Sequence, residues 1–259
     1  MSERVERFEI EGRPSVSLRL PAADIRVVES TDGAVAIRLS GSERDIDRYR
    51  IEQNGRHVTV ETDRERGLRI RLSSLDVEVA LPEGAELSVR LASGGVRIEP
   101  GLSSVTVDTA SGDIAVEGRV SGDLSLKSAS GDVRVESVDG RVDASLASGD
   151  IFIRHVGGDC RVVAASGDVR VGHIDGGASF KSASGDVHVD RFGGDQFDAK
   201  SMSGDVVIGV PPGRRFEVSF KTLSGDVRTD FPVSAESPGA RARLAVTSMS
   251  GDITVKAVD

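Results

Sequence analysis

Ala165-Ser166-Gly167-Asp168-Val169-Arg170-Val171 returns one short repeat later as Ala183-Ser184-Gly185-Asp186-Val187-His188-Val189. Its centre, Ser-Gly-Asp, occurs nine times in the chain. Eight copies keep one register, with aspartates at Asp113, Asp132, Asp150, Asp168, Asp186, Asp205, Asp226 and Asp252. The step between the first six is nearly constant, and the gaps from Asp205 to Asp226 and from Asp226 to Asp252 are wider. A repeat of about 18 residues is one small unit that cannot bury its own apolar edge and must stack on its neighbours.

Around each aspartate the same alternation holds. Positions one and three after it are apolar, as in Ile151/Ile153, Val169/Val171, Val187/Val189 and Ile253/Val255; only Val227/Thr229 departs. Positions eight and six before it are mostly apolar, as in Val105/Val107, Leu124/Leu126, Phe197/Ala199 and Leu244/Val246. Period-2 alternation rich in β-branched residues marks half-buried strands. Each repeat therefore holds two short strands. Ser-Gly-Asp makes one turn, and a second Gly-rich turn, such as Gly157-Gly158-Asp159 or Gly193-Gly194-Asp195, makes the other. Three residues before the Asp sits a small or flexible apolar residue (Ala110, Ala129, Ala147, Ala165, Ala183, Met202, Leu223 and Met249), expected to fill the corner beneath the turn.

Stacked at about 4.8 Å, each strand pairs in parallel with its equivalent in the next coil. The fold class that follows is all-β: a single-stranded parallel β-helix, or β-solenoid, with about 18 residues and two short strands per coil. Residues 1–80 diverge and read as an N-terminal cap with the first irregular coils; 81–259 read as regular coils of one continuous domain. Leu87/Val89, Ala92 and Val96/Ile98 fit the repeat unit, with Gly95 where the Asp would be. Within the cap, Ala23-Asp24-Ile25-Arg26-Val27 resembles a turn and strand, and Glu43–Arg50 is the one plausible helical turn. Residues 51–60 look like a hairpin around Asn54-Gly55, a dipeptide favoured by type I′ turns.

The turn-strand repeats Ala129-Ser130-Gly131-Asp132-Val133-Arg134-Val135 and Ala165–Val171, the Gly-Gly-Asp half-repeats and the tail Thr222–Thr229 resemble the putative-adhesin, or toast-rack, family of unknown function, which includes LiaG-like proteins. The resemblance is best over 85–255. It implies a right-handed parallel β-solenoid and a non-enzymatic module, often tied to cell-envelope stress systems, and it carries no catalytic residues to transfer.

Bulk properties narrow the function. A net charge of -9 and a pI near 5.1 argue against nucleic acid, whose affinity rests on basic patches. One Tyr, no Trp and 3% aromatics leave few stacking platforms for bases or sugars. The lone Cys160 falls in an inward column and reads as a buried, inert thiol. The segment Met1–Arg7 is charged and lacks the apolar core of a leader, and no 18-residue apolar run exists to cross a membrane. The location expected is the cytoplasm, with recruitment to a membrane only through a partner.

Three sets of residues carry candidate chemistry. The column Asp113, Asp132, Asp150, Asp168, Asp186, Asp205, Asp226 and Asp252 stacks carboxylates at one corner, where neighbours in water repel by about 0.9 kcal/mol. The structural reading has each Asp accept backbone N–H bonds in its turn; the chemical one is a row of Ca²⁺ ions between coils. His155 and His173 each lie five residues after a column aspartate and should stack, with Asp159 or Asp175 near enough to complete a Zn²⁺ or Ni²⁺ site; surface histidines at a loop are the ordinary reading. Lys181, Lys200 and Lys221 occupy one outward column, expected in three successive coils, as a stripe for an anionic partner or a plain solvated face. No cofactor is expected beyond those ions.

The function expected is a non-catalytic scaffold or interaction module that binds a protein partner, or itself, through a face or an open end. The alternative is an envelope module binding a polysaccharide or a membrane protein; a cation-binding solenoid and a polysaccharide-active enzyme rank below it. The last strand begins at Ile253 and should leave an unpaired edge unless 231–243, with Pro232 and Pro238, folds over it.

Overall fold

The computed structural model describes residues 2–63, 75–212, 216–230 and 242–258. The chain forms two compact units, Met1–Gly131 and Asp132–Asp259.

In the first unit the elements are β1 (Ser2–Phe8), β2 (Ser15–Ala22), β3 (Asp24–Glu29), β4 (Val35–Gly41), α1 (Glu43–Ile46), β5 (Tyr49–Asn54) and β6 (His57–Thr62). They continue with β7 (Asp76–Leu81), β8 (Glu86–Ser93), β9 (Val96–Ile98), β10 (Ser104–Ser111), β11 (Ile114–Val120) and β12 (Leu124–Ser130). One sheet runs β12-β10-β8-β2-β6 in parallel, and the other runs β11-β9-β3-β7 in parallel. The coil β2–β3 thus lies between β6–β7 and β8–β9, although it precedes both in the chain. The cap is antiparallel: β4 pairs with β1 and β7, and β5 with β6. It buries Tyr49 and Ile51 and lays the charged sequence of β1 along the outer edge, which is how an exposed strand edge is blunted.

Helix α1 is a single turn, opened by Ser42, whose Oγ accepts the Asp45 N–H at 3.3 Å. The hairpin β5–β6 closes through Gly55-Arg56, not Asn54-Gly55: Asn54 pairs with His57, and Gly55 has φ 60° while Arg56 is not in the positive region. Glycine at the first central position is the sign pattern of a II′ turn, so the expected I′ geometry is corrected.

The second unit repeats one theme. Its strands are β13 (Val133–Val138), β14 (Val142–Leu146), β15 (Ile151–Val156), β16 (Cys160–Ser166), β17 (Val169–Ile174), β18 (Ala178–Ser184) and β19 (Val187–Phe192). They continue with β20 (Gln196–Ser203), β21 (Val206–Val210), β22 (Phe216–Ser224), β23 (Val227–Thr229), β24 (Ala242–Ser250) and β25 (Ile253–Ala257). Even-numbered strands stack β14-β16-β18-β20-β24-β22, and odd-numbered ones β13-β15-β17-β19-β21-β25-β23, all parallel. The register steps by one repeat, as in Val169↔Val187 and Cys160↔Ala178. This is the β-solenoid expected, with one departure. The coil β24–β25, last in the chain, is inserted between β20–β21 and β22–β23. The outermost described coil is therefore β22–β23, and the free edge expected after Ile253 lies there instead; Pro232 and Pro238 fall outside the described residues.

Apolar burial follows from the insertion. Ala242, Leu244 and Val246 of β24 are at most 5% exposed, whereas Val218 and Phe220 of β22 are only half-buried. A central slot covers both flanks of a strand, and β24 holds the more compact apolar set. Deeper in the unit, Phe197 packs against Phe180 and Phe192 with ring centroids 5.5 and 5.2 Å away, all three fully buried. Aromatic rings at such spacings contribute beyond their area alone.

Corners need glycine for two separable reasons. At Gly185 φ is +117°, and a Cβ would stand 2.2 Å from the Gly167 carbonyl oxygen of the neighbouring coil. At Gly194, on the opposite corner, φ is not in the left-handed region, yet a Cβ would meet the Gly176 oxygen at 1.8 Å. The coils approach there through bare backbone.

The residue three before each aspartate does not fill the corner. Ala110, Ala129, Ala147, Ala165 and Ala183 are exposed, as are Met202, Leu223 and Met249. Strand parity explains the correction: positions eight and six before the Asp face inward, so the residue four before it does too. That position holds Thr109, Ser128, Leu146, Ala164, Ser182, Ser201 and Ser248, all buried.

Candidate functional site

The carboxylates of the second unit form a ladder. Asp132 Oδ1 accepts the Asp150 N–H at 3.0 Å, Asp150 that of Asp168 at 2.8 Å, Asp168 that of Asp186 at 2.9 Å and Asp186 that of Asp205 at 2.7 Å. The chain then skips: Asp205 accepts from Asp252 at 2.7 Å, and Asp252 from Asp226 at 2.8 Å. Each N–H thus comes from the neighbouring coil rather than from the same turn. A carboxylate accepting a backbone N–H makes a strong, charge-assisted bond that offsets repulsion along the column. At the opposite corner Asp159 Oδ1 accepts the Gly177 N–H at 2.9 Å.

The last three coils carry an apolar ridge. Met202 of β20, Met249 of β24 and Leu223 of β22 are 58%, 51% and 83% exposed. Their flanking serines pair in register, Ser201↔Ser248 and Ser203↔Ser250 on one side of Met249 and Ser224↔Ser250 on the other. The three side chains therefore occupy one outward column on adjacent strands, about 4.8 Å apart. Where earlier coils carry alanine, these carry flexible, bulky apolar groups. Val227, at the start of β23, adds a further exposed apolar side chain at 45%. Beneath the ridge, Ser201 Oγ and Ser248 Oγ are buried without a hydrogen-bond partner among the described residues.

His155 and His173 do stack, with ring centroids 5.5 Å apart. Both turn to Asp175: His155 Nε2 lies 3.0 Å from Oδ2 and His173 Nε2 2.8 Å from Oδ1. The hydrogen bond from His155 lowers the Asp175 carboxyl below the usual carboxylate range. Asp159 is not part of this cluster. Among the described residues no group of three or more His, Cys, Asp or Glu is placed to hold a metal ion.

The lysine stripe is interrupted. Lys181 and Lys200 are neighbours, but Lys200 pairs with Thr247 of the inserted β24, and Lys221 lies on its far side. The expected run of three successive coils is corrected, because chain order is not stacking order here. Cys160 is 1% exposed, and burial pushes its thiol up to about 12, which removes it as a nucleophile at neutral pH.

In the first unit, a groove of about 580 Å³ opens where Gly95 and Ala115 leave a low floor between Asp24, Arg26, Arg38, Arg97 and Asp113. Asp24 acts as a column aspartate there, accepting the Gly95 N–H at 2.9 Å. The guanidiniums are matched: Arg26 to Glu99 at 2.8 Å, Arg38 to Glu3 at 3.0 Å and Arg97 to Glu117 at 3.6 Å. Glu99 raises the Arg26 pKa further. Glu3, Asp24, Asp76, Glu78 and Asp113 outnumber the three guanidiniums in its lining, so the groove is net negative and its cations are already matched.

A family model, Toastrack DUF4097, matches residues 15–256. The chain belongs to the Toastrack DUF4097 family. The Toastrack fold is seen in solved structures of low sequence identity. A "putative adhesin" from Parabacteroides merdae ATCC 43184 is 13% identical with a TM-score of 0.53, covering 99% of this chain and 96% of that one. Another "putative adhesin", from Parabacteroides distasonis ATCC 8503, is 14% identical with a TM-score of 0.51, covering 99% and 97%. No curated protein matches the sequence. Among the described residues of this Toastrack chain no helix is long and apolar enough to cross a membrane.

Sequence reading missed the ridge and the groove. The ridge was missed because Met202, Leu223 and Met249, equivalent positions of the last three coils, were expected to fill the corner beneath the turn and instead face outward. Parity alone would have turned both methionines outward.

Proposed function

We propose that this Toastrack chain is a non-catalytic interaction module, and that its contact surface is the ridge Met202–Met249–Leu223 at the end of the second unit. The observation that carries the reading is the exposure of three large apolar side chains in one column of adjacent strands. Isolated apolar residues on a surface are ordinary; a contiguous row of them marks a contact. Methionine suits such a face because its unbranched thioether adapts to an irregular partner. Proteins of this fold called "putative adhesin" fit a contact role. The aspartate column serves this module as a stacking device, its carboxylates committed to backbone N–H groups between coils.

The test places a photo-crosslinking residue at the neighbouring exposed position 227 both in the otherwise unchanged protein and in a variant with Met202, Met249 and Leu223 replaced together by lysine. The unchanged ridge crosslinks to a defined protein in the native cell, and the lysine variant loses that partner while keeping its melting temperature. Equal capture by both forms contradicts the reading.

A further inference from the structure

The outermost coil of the second unit has a strand edge whose side chains are complementary to themselves. In β22, Glu217, Ser219 and Lys221 point outward and are exposed, while Val218 and Phe220 point toward the coil interior and are only half-buried. Their equivalents on β24, Leu244 and Val246, are fully buried. Among the described residues β22 pairs in register only with β24, which leaves residues 217–221 with a second, open edge. The first unit differs: its antiparallel strands form a cap that buries Tyr49 and Ile51.

We propose that the occupant of the open β22 edge is β22 of a second copy of this chain, paired antiparallel about a two-fold axis at Ser219. This rests on the reading of the second unit's end as a contact surface, and it names the partner. In that register residue 219 faces its own copy, Val218 faces Phe220 of the second chain, and Glu217 faces Lys221. The two-fold makes the ion pair twice, once on each side of the axis, and both apolar pairs fall on the interior face that the coil leaves half-covered. Opposite charges directly across an antiparallel pair stabilise it, and like charges destabilise it. A two-fold contact also closes, giving a dimer and no further growth. A shift of one residue would set Glu217 against Thr222 or Phe220 and turn the apolar side chains away from each other, so charge and burial select the same register.

The experiment is sedimentation equilibrium of the full chain over a wide concentration range. The unchanged protein forms a reversible dimer. Lys221→Glu and Glu217→Lys each weaken it about tenfold or more, and the double variant E217K/K221E restores it. Both positions are exposed, and melting temperatures of the four proteins verify that each is folded. As a second readout, Ser219→Cys forms a disulfide-linked dimer under mild oxidation, whereas Ser179→Cys, the equivalent outward position of an interior coil, stays monomeric; Cys160 is buried and does not compete. A monomer at every concentration, assemblies larger than a dimer, or a double variant that fails to recover overturns the proposal. Failure here is separable from failure of the ridge: a strict monomer that still loses its crosslinked partner on substitution of Met202, Met249 and Leu223 keeps the contact surface and removes only the second copy.

Discussion

The Asp205 carboxylate accepts the backbone N–H of Asp252 at 2.7 Å, although 47 residues separate them. Asp226, the next column aspartate in the chain, bonds one step further out, to Asp252. The ladder therefore records the order in which coils stack, and that order departs from the chain at its last two repeats. The departure has two consequences: it sets Met249 between Met202 and Leu223 in the ridge, and it leaves β22 rather than β24 at the edge.

The ladder separates charge from hydrogen bonding. Asp186→Asn retains an oxygen that can accept the Asp205 N–H and removes one member of a like-charged column; its stability should fall within about 0.5 kcal/mol of the parent. Asp186→Ala removes the acceptor and should cost about 1 kcal/mol. Chemical denaturation of the three proteins decides. Equal losses for Asn and Ala would mean that the negative charge itself is required, as a bound cation would demand.

The corners separate conformation from contact. Gly33 has φ +78° and nothing within 4 Å of where an added methyl would sit, so Gly33→Ala should cost only the left-handed backbone penalty, about 1–2 kcal/mol. Gly194→Ala drives a methyl into the Gly176 carbonyl and should cost about 3 kcal/mol or more. Similar small losses at both sites, measured by thermal denaturation, would show that the coils can part without penalty.

The imidazole pair gives a pH signature through its carboxylate. The pKa of Asp175 is lowered in the folded state, chiefly by the His155 hydrogen bond. A lowered carboxylate contributes stability that is fully present above its unfolded value, about 3.9, and is lost as pH falls through the folded one. The side chain is 51% exposed, so solvent screening holds the effect to about 0.5 kcal/mol or less. Asp175→Asn should therefore be slightly less stable than the parent at neutral pH, and the two should converge in strong acid. A gap that persists unchanged below the carboxylate range would locate the effect in packing instead.

Much of the fold was legible because it rests on local rules. The apolar pairs flanking each aspartate, such as Val169/Val171 and Val187/Val189, define inward columns by parity, and the near-constant step between repeats puts them in register. Ala110, Ala129 and Ala183 were misplaced because the inward position beside them carries hydroxyls, Thr109, Ser128 or Ser182, while the exposed one carries alanine; apolar character pointed one way and parity the other. The order of the last coils was not legible at all. The widened gaps after Asp205 and Asp226 are long enough to pass over a neighbour, and β22 and β24 carry the same alternation, so only the relative burial of Leu244 and Val246 against Val218 and Phe220 distinguishes them. The lysine stripe failed for that reason, whereas the ridge went unseen because Met202, Leu223 and Met249 were expected to face inward.

Hydrogen exchange of backbone amides, resolved by residue, tests the inserted coil most directly. In protein diluted to the monomer, stacking with β24–β25 inside predicts slow exchange at Leu244, Val246, Ile253 and Val255 and much faster exchange at Val218, Phe220 and Val227. Slow exchange in β22–β23 with fast exchange in β24–β25 would mean that the coils stack in chain order, with the open edge on β24 instead of β22.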